Sequence, residues 1–368
     1  MGFSCGIVGL PNVGKSTIFN ALTRASVPAA NYPFCTIDPN VGVVPVPDAR
    51  LDTLAQLVPT ERVVPTVVEF VDIAGLVKGA SEGQGLGNKF LNHIAAVEAI
   101  AHVVRCFEDE EVVHVSGAID PRRDIEIINT ELALRDLATA QGALSRMEKQ
   151  AKSMDKKAMA AVPVLQEVVK TLDAGRPARA MLGGLIEADR DLVRELNLLT
   201  AKPVLYVANV AEAQAAGGTT PALEAVEALA KAEGAGVVRI CGAIEAQISS
   251  LETDAERAEY LQAVGLTQPG LNRLIRAGHD LLGLIAFFTV GPKEDRAWTV
   301  RRGSTAPQAA GKIHSDFEKG FIRAEVIAYQ DFLECKSEGV ARERGKLRVE
   351  GKEYIVQDGD LMHFRFGA

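Results

Sequence analysis

The chain is short of cationic charge: 40 lysines and arginines stand against 48 aspartates and glutamates, a formal net charge of −8. That balance excludes a wholly basic nucleic-acid wrapper, although it leaves room for a basic face on one domain. Cysteines are few, five in 368 residues, and none forms a C-x-x-C pair. A zinc site or a redox pair is therefore not expected. Cys5, Cys106 and Cys241 lie in apolar runs and read as buried reduced thiols. No long hydrophobic run is present either. The most apolar stretch, Leu281 to Val290, is too short to span a bilayer. The N-terminus lacks a charged start and an extended apolar core, so no secretory leader is expected and the cytoplasm is the default compartment. What remains is ordinary globular composition, 47% hydrophobic and 24% charged, in a chain long enough for two or three domains and a large core.

Against that background one stretch organises the chain, Gly9-Leu10-Pro11-Asn12-Val13-Gly14-Lys15-Ser16. It fits G-x-x-x-x-G-K-[ST] and lies between an apolar run, Phe3 to Val8, and the helix-like Thr17 to Leu22. That strand–loop–helix context gives the motif its meaning. Glycines let backbone N–H groups turn toward phosphate oxygens, and the following helix adds the partial positive charge of its N-terminus. Lys15 can neutralise β- and γ-phosphates, and the Ser16 hydroxyl can ligate Mg²⁺.

Downstream, Asn31 to Asn40 reads as an irregular loop, in which Thr36 is placed to close over a γ-phosphate and ligate Mg²⁺. The β-branched run Thr66 to Val71 ends in Asp72-Ile73-Ala74-Gly75, a D-x-x-G at the carboxyl end of a strand. Asp72 can hold Mg²⁺, through water in the usual arrangement of such sites, and the Gly75 N–H can sense the γ-phosphate. The next residue is Leu76, where many GTPases place a glutamine that orients the attacking water. Another group must do that work. His114 is one candidate, with Gln84 and backbone groups as others, and an ordinary loop histidine is the competing reading.

Ala99 to Phe107 reads as a further parallel strand. From about 125 to 200 the character changes to helical stripes, Ile128, Leu132, Leu137, Leu144 and Met147, then Met159, Val162, Leu165, Val169 and Leu172. These predict an inserted helical arm, with a coiled-coil hairpin as one form it can take, which either packs on the main domain or projects toward a partner. Pro203 to Ala208 is the next strand, followed by Asn209-Val210-Ala211-Glu212 where GTPases carry N-K-x-D. Val210 and Glu212 depart from guanine reading, while Asn209 or a backbone carbonyl can accept from the N6 amine of adenine. Gly236 to Ile240 leads into Cys241-Gly242-Ala243, again unlike the S-A-K of GTPases. The last part is strand-rich: 285–290, 297–300, 321–328, 346–349, 354–356 and 361–366, with a helix over 305–317. These predict a small β-grasp unit bearing Lys312, Lys319, Arg323, Lys346, Arg348 and Arg365 as candidate RNA contacts.

Together, GLPNVGKST, NYPFCTIDPN, DIAGLVKGASEGQGLGNKFL and NVAE resemble the Obg-like ATPase (YchF) family of translation-factor-class P-loop NTPases, over essentially the whole chain. The resemblance implies an α/β GTPase-type P-loop domain over 1–282, interrupted by the helical insertion, and a C-terminal TGS β-grasp domain over 283–368. It implies an ATPase that prefers ATP to GTP and associates with the ribosome, through its large subunit and ribosomal RNA, with no DNA or membrane partner. It places Asn12, Val13, Gly14, Lys15, Ser16 and Thr17 on phosphates, Ser16 and Thr36 on Mg²⁺, and Asn209 with Val210 on adenine. Glu212 also fits the family pattern. Two alternatives stand beside this reading: a conventional Obg-type GTPase, and a nucleotide-gated ribosome- or RNA-binding module with negligible intrinsic hydrolysis.

Overall fold

The structure, a computed structural model, describes residues 3–25, 40–73, 86–109 and 119–367. Its strands in chain order are β1 (Ser4–Val8), β2 (Val41–Pro45), β3 (Val63–Val64), β4 (Val67–Asp72), β5 (Ala99–Arg105), β6 (Val204–Asn209), β7 (Gly236–Ile240), β8 (Leu284–Thr289), β9 (Asp295–Arg301), β10 (Phe321–Ile327), β11 (Arg348–Glu350) and β12 (Leu361–Phe366). The chain divides into two compact units, residues 1–42 with 69–277 and residues 43–68 with 278–368. The sequence pattern puts one boundary at 282/283; the second unit also takes in 43–68.

In the first unit the sheet runs β2-β4-β1-β5-β6-β7. β1 pairs in parallel with both β4 and β5, and β5–β6 and β6–β7 are parallel too. Every residue of β5 and β6 is buried, which is why both read as continuous apolar runs rather than alternating ones. Strand order reverses about β1, so the loop leaving its carboxyl end opens at the ligand-binding crevice of such sheets. Helix α1 (Lys15–Arg24) starts there and buries Ile18, Phe19, Ala21 and Leu22.

Helix α2 (Ala49–Leu57) belongs to the second unit and α3 (Leu86–Ala96) to the first. The expected arm is a pair of helices, α4 (Pro121–Ala151) and α5 (Lys156–Asp173), joined by a short connection and packed on each other. Asp120 caps α4 and Asp155 caps α5, each side chain accepting from backbone N–H groups of the first turn. The middle of α4 is tied down by Asp136. Its buried carboxylate accepts from Leu199 N (2.8 Å), Thr200 N (2.7 Å) and Thr200 Oγ1 (2.6 Å).

The second unit has a mixed sheet ordered β11-β10-β12-β8-β9-β3. Pairs β8–β9 and β10–β12 are antiparallel, β8–β12 and β3–β9 parallel. The helix expected over 305–317 is two helices, Ala306–Ile313 and Ser315–Lys319, because His314 takes an extended conformation and caps the second. The expected strand at 354–356 is reduced to an isolated bridge between Thr305 and Ile355. One face of the sheet packs Ile285, Phe287, Val300 and Phe364 against the helix Ala306–Ile313. The other covers Phe288, Ile327 and Leu361 with Leu51 and Leu54 of α2. The second unit is thus a mixed sheet with helices packed on both faces.

Candidate nucleotide site

Between β1 and α1 the loop 9–14 makes two conformational demands that the sequence meets. Gly9 runs close under β5: a Cβ there would lie 2.8 Å from the Val103 carbonyl oxygen and 2.9 Å from Val13 Cγ2. Gly14 caps α1 at φ 89°, in the left-handed region, and a Cβ would stand 2.1 Å from Asn209 Nδ2. Asn12 also turns left-handed, at φ 63°, a conformation asparagine tolerates better than most residues. The result is a loop that wraps the mouth of a cleft of about 780 Å³.

Lys15 is nearly buried at 9% exposure, and its ammonium is held by the Asp72 carboxylate at the end of β4. Ser16 and Thr17, in the exposed first turn of α1, line the cleft. The lysine, paired with Asp72, and the Ser16 hydroxyl thus meet the cleft at the helix N-terminus, where the dipole favours an anion. Thr36, Gly75 and His114, together with Leu76 and Gln84, lie outside the described residues.

The far wall of the cleft is built by Asn209, Val210, Ala211 and Glu212 after β6, and by Cys241 and Gly242 after β7. Here the structure adds to an expectation. Asn209 is only 3% exposed, and both ends of its side chain are committed. Its Nδ2 donates to the Val13 carbonyl at 2.9 Å, and its Oδ1 accepts from Gly242 N–H at 3.0 Å. One of the two lone pairs of the expected acceptor for an adenine amine is thus engaged. Asn209 is a staple between the phosphate loop and the two base-side loops. Val210 is 2% exposed, with its N–H on the Ile240 carbonyl, so it offers the cleft a small apolar wall. Glu212 is exposed at the start of the short helix Glu212–Ala215. The Cys241 thiol is buried, and desolvation raises its pKa, so it is inert.

Two lining residues escape a reading of the sequence, Phe107 and Asp109. They are positioned by Arg105, the last residue of β5, which is 1% exposed. Its Nε donates to the Phe107 carbonyl (3.1 Å) and its Nη2 to the Asp109 carbonyl (3.2 Å), while the guanidinium sits 4.7 Å from the Phe107 ring centroid. Arg105 stands opposite Asn209 in the β5–β6 register. An arginine closing an apolar strand beside an aromatic is the signal the sequence offers.

A parallel sheet with a lysine-bearing phosphate loop at the switch point, and two further loops facing it across a nucleotide-sized cleft, defines a GTPase-type P-loop NTPase. Comparison with known proteins agrees and narrows the class. Residues 4–137 match the family described as 50S ribosome-binding GTPase, and residues 284–367 match the C-terminal YchF GTPase family, described as a protein of unknown function (DUF933). The chain is 58% identical over 368 residues to a protein of Haemophilus ducreyi named ribosome-binding ATPase YchF, covering 100% of both chains. A Bacillus subtilis protein of the same name is 51% identical over 369 residues, again with 100% of both chains covered. The solved Schizosaccharomyces pombe YchF GTPase superposes with a TM-score of 0.88 at 38% identity, covering 99% of this chain and 98% of that one. The chain belongs to the YchF family.

Proposed function

We propose that this protein binds ATP in preference to GTP, hydrolyses it to ADP and phosphate with Mg²⁺, and uses nucleotide state to govern its attachment to the ribosome. The observation that carries the proposal is that Lys15, paired with Asp72, and Ser16 line one end of a cleft whose opposite wall lacks the guanine-reading side chains. Relatives spanning its full length are named ribosome-binding ATPases. The description of the matching family, a 50S ribosome-binding GTPase, points to the large subunit. The cytoplasm follows as the site of action. The C-terminal unit is read as a TGS domain, and 1–282 as the nucleotide domain with its helical insertion.

In this reading phosphate oxygens lie against the N–H groups of 12–17, and Lys15 leaves Asp72 to neutralise the β- and γ-phosphates. The donor set of Ser16 hydroxyl and Asp72 carboxylate, all hard oxygen, fits Mg²⁺, which would be held there with Thr36 and would neutralise charge on the phosphates. Thr36 and Gly75 sense the third phosphate, and His114 orients the water that attacks in line as ADP leaves. The base lies between Phe107 and the Val210-Ala211-Glu212 segment.

Competition of ATP and GTP for one labelled nucleotide, with Mg²⁺ present, tests the base assignment; clear GTP preference returns the chain to the conventional GTPases. Lys15→Ala should abolish turnover, and a variant with full ATPase activity would end the enzyme assignment. His114→Ala should slow turnover while sparing nucleotide affinity; an unchanged rate removes His114 from the mechanism.

A further inference from the structure

We infer that the tip of the α4–α5 hairpin is a phosphate-backbone contact, and that this arm, rather than the C-terminal unit, carries most of the charge-driven attachment to RNA. The inference rests on the ribosome-binding reading above and names the surface that would serve it.

The hairpin outruns its own core. At 31 residues α4 is about 46 Å long. Its last buried residue is Ala143, and the first in α5 is Ala158; nothing between them is buried. At the apex Met154 is 77% exposed and in the left-handed region at φ 61°.

This segment reverses the sign of the chain. Between 144 and 157 lie five cations, Arg146, Lys149, Lys152, Lys156 and Lys157, against two carboxylates, Glu148 and Asp155, in a protein of net charge −8. One of the two is already engaged, since Asp155 accepts from Lys157 N (2.8 Å) and Ala158 N (3.1 Å) as the α5 cap. All five cations are exposed. Among the described residues none forms an ion pair, although Glu148 sits four positions before Lys152, the spacing that favours one. Lys156 and Lys157 also occupy the first turn of α5, which carries no acidic residue. Cations there oppose the helix dipole. The Asp155 cap offsets part of that cost, and an external polyanion would offset the rest.

Three of the six C-terminal candidates are arranged differently, although Lys319 and Arg323 are exposed. Lys346 pairs with Asp331 at 2.8 Å, Arg348 with Glu350 at 3.4 Å and Asp360 at 3.7 Å, and Arg365 with Glu325 at 3.1 Å. Their charge is met within the fold, so a phosphate must compete with a carboxylate for each.

The test compares the full-length wild type with K149Q/K152Q/K156Q/K157Q and with K346Q/R348Q/R365Q. Binding is measured to purified ribosomes by sedimentation and to a plain RNA duplex, across a salt series, with ATPase activity and melting temperature in parallel. Every phosphate that a lysine no longer neutralises flattens the plot of log K against log salt by about 0.9, so the arm variant should be flatter by up to about 3.6. Over a fourfold rise in salt the wild type should then lose about a hundredfold more affinity than the arm variant. ATPase activity and melting should stay unchanged, and the C-terminal variant should move the slope less. An arm variant with the wild-type slope on both targets overturns the inference. So does one that loses ribosome binding but keeps its affinity for the duplex, since the arm would then meet a protein. A wild type that binds the duplex in an arm-dependent way but not ribosomes refutes the functional reading and leaves the arm assignment standing.

Discussion

Asn209→Ala separates the two roles that a residue at this position can have. As a base reader, Asn209 would matter to adenine and little to folding. As the staple the structure shows, it matters to the fold and to every nucleotide alike. Truncation removes both of its hydrogen bonds, to the Val13 carbonyl at 2.9 Å and from Gly242 N–H at 3.0 Å, in a place where Asn209 is 3% and Val13 1% exposed. Each buried partner left unsatisfied costs about 1–3 kcal/mol, which gives about 2–6 kcal/mol in all, with about 4 the central expectation. The assay is urea unfolding followed by circular dichroism, because the single tryptophan, Trp298, lies in the other unit. Displacement titrations with ATP and GTP run beside it. Both affinities should fall by the same factor, since the phosphate loop loses its backing while the 210–212 wall is untouched. Asn209→Asp should fall between, keeping the acceptor for Gly242 but turning an anion toward the Val13 carbonyl. Unchanged stability with a selective loss of ATP affinity would refute the staple.

Gly14→Ala needs a side chain in the left-handed region with its Cβ 2.1 Å from Asn209 Nδ2, so nucleotide binding should vanish by isothermal titration. Arg105→Gln removes the cation over Phe107 and weakens the hold on two carbonyls of the cleft wall; nucleotide affinity should drop about tenfold, or about 1.4 kcal/mol. His102, in β5 beside Tyr206, has its pKa lowered to about 3, chiefly by burial and further by the Arg179 charge. The unfolded chain takes up a proton at His102 below about 6.5 while the folded one does not. Its contribution is therefore present above that pH and is lost as pH falls toward 3. Between about pH 6.5 and about pH 5.0 the wild type should lose roughly 2 kcal/mol more than His102→Phe, by denaturant unfolding at each pH.

Local chemistry is what the sequence displays. The phosphate loop, the buried strands β5 and β6 and the two arm helices each carry their signal within a few consecutive residues, and all appear where the pattern puts them. The excursion 43–68 is not legible. Its strand β3 is only Val63–Val64, and what fixes it is pairing with β9 more than two hundred residues later. Pairing at that distance leaves no mark in a two-residue window. Asn209 stands out for its place in a motif, but its partners at 13 and 242 are set by which strands are neighbours. The C-terminal cations show the same limit. Counting charges nominates Lys346, Arg348 and Arg365, while only the fold shows Asp331, Asp360 and Glu325 beside them.

The staple also bears on how one scaffold can serve two nucleotides. Asn209 fixes the phosphate loop to the loops after β6 and β7 through buried groups that no base needs to touch. Phosphate binding is thereby insulated from base reading. On the proposed function, discrimination would fall to the apolar edge of Val210, the Ala211 backbone, the exposed Glu212 and the Phe107–Asp109 wall held by Arg105. A change among these alters which base is preferred without disturbing Lys15 or Asp72. The departures at 210 and 212 therefore call for no compensation in 9–16, where the phosphate motif is intact. Specificity built this way rests on what the wall no longer offers guanine. The preference for ATP should then be a modest ratio rather than an absolute one, because an apolar wall that only forgoes hydrogen bonds rejects the wrong base less sharply than a site whose polar groups are left unpaired.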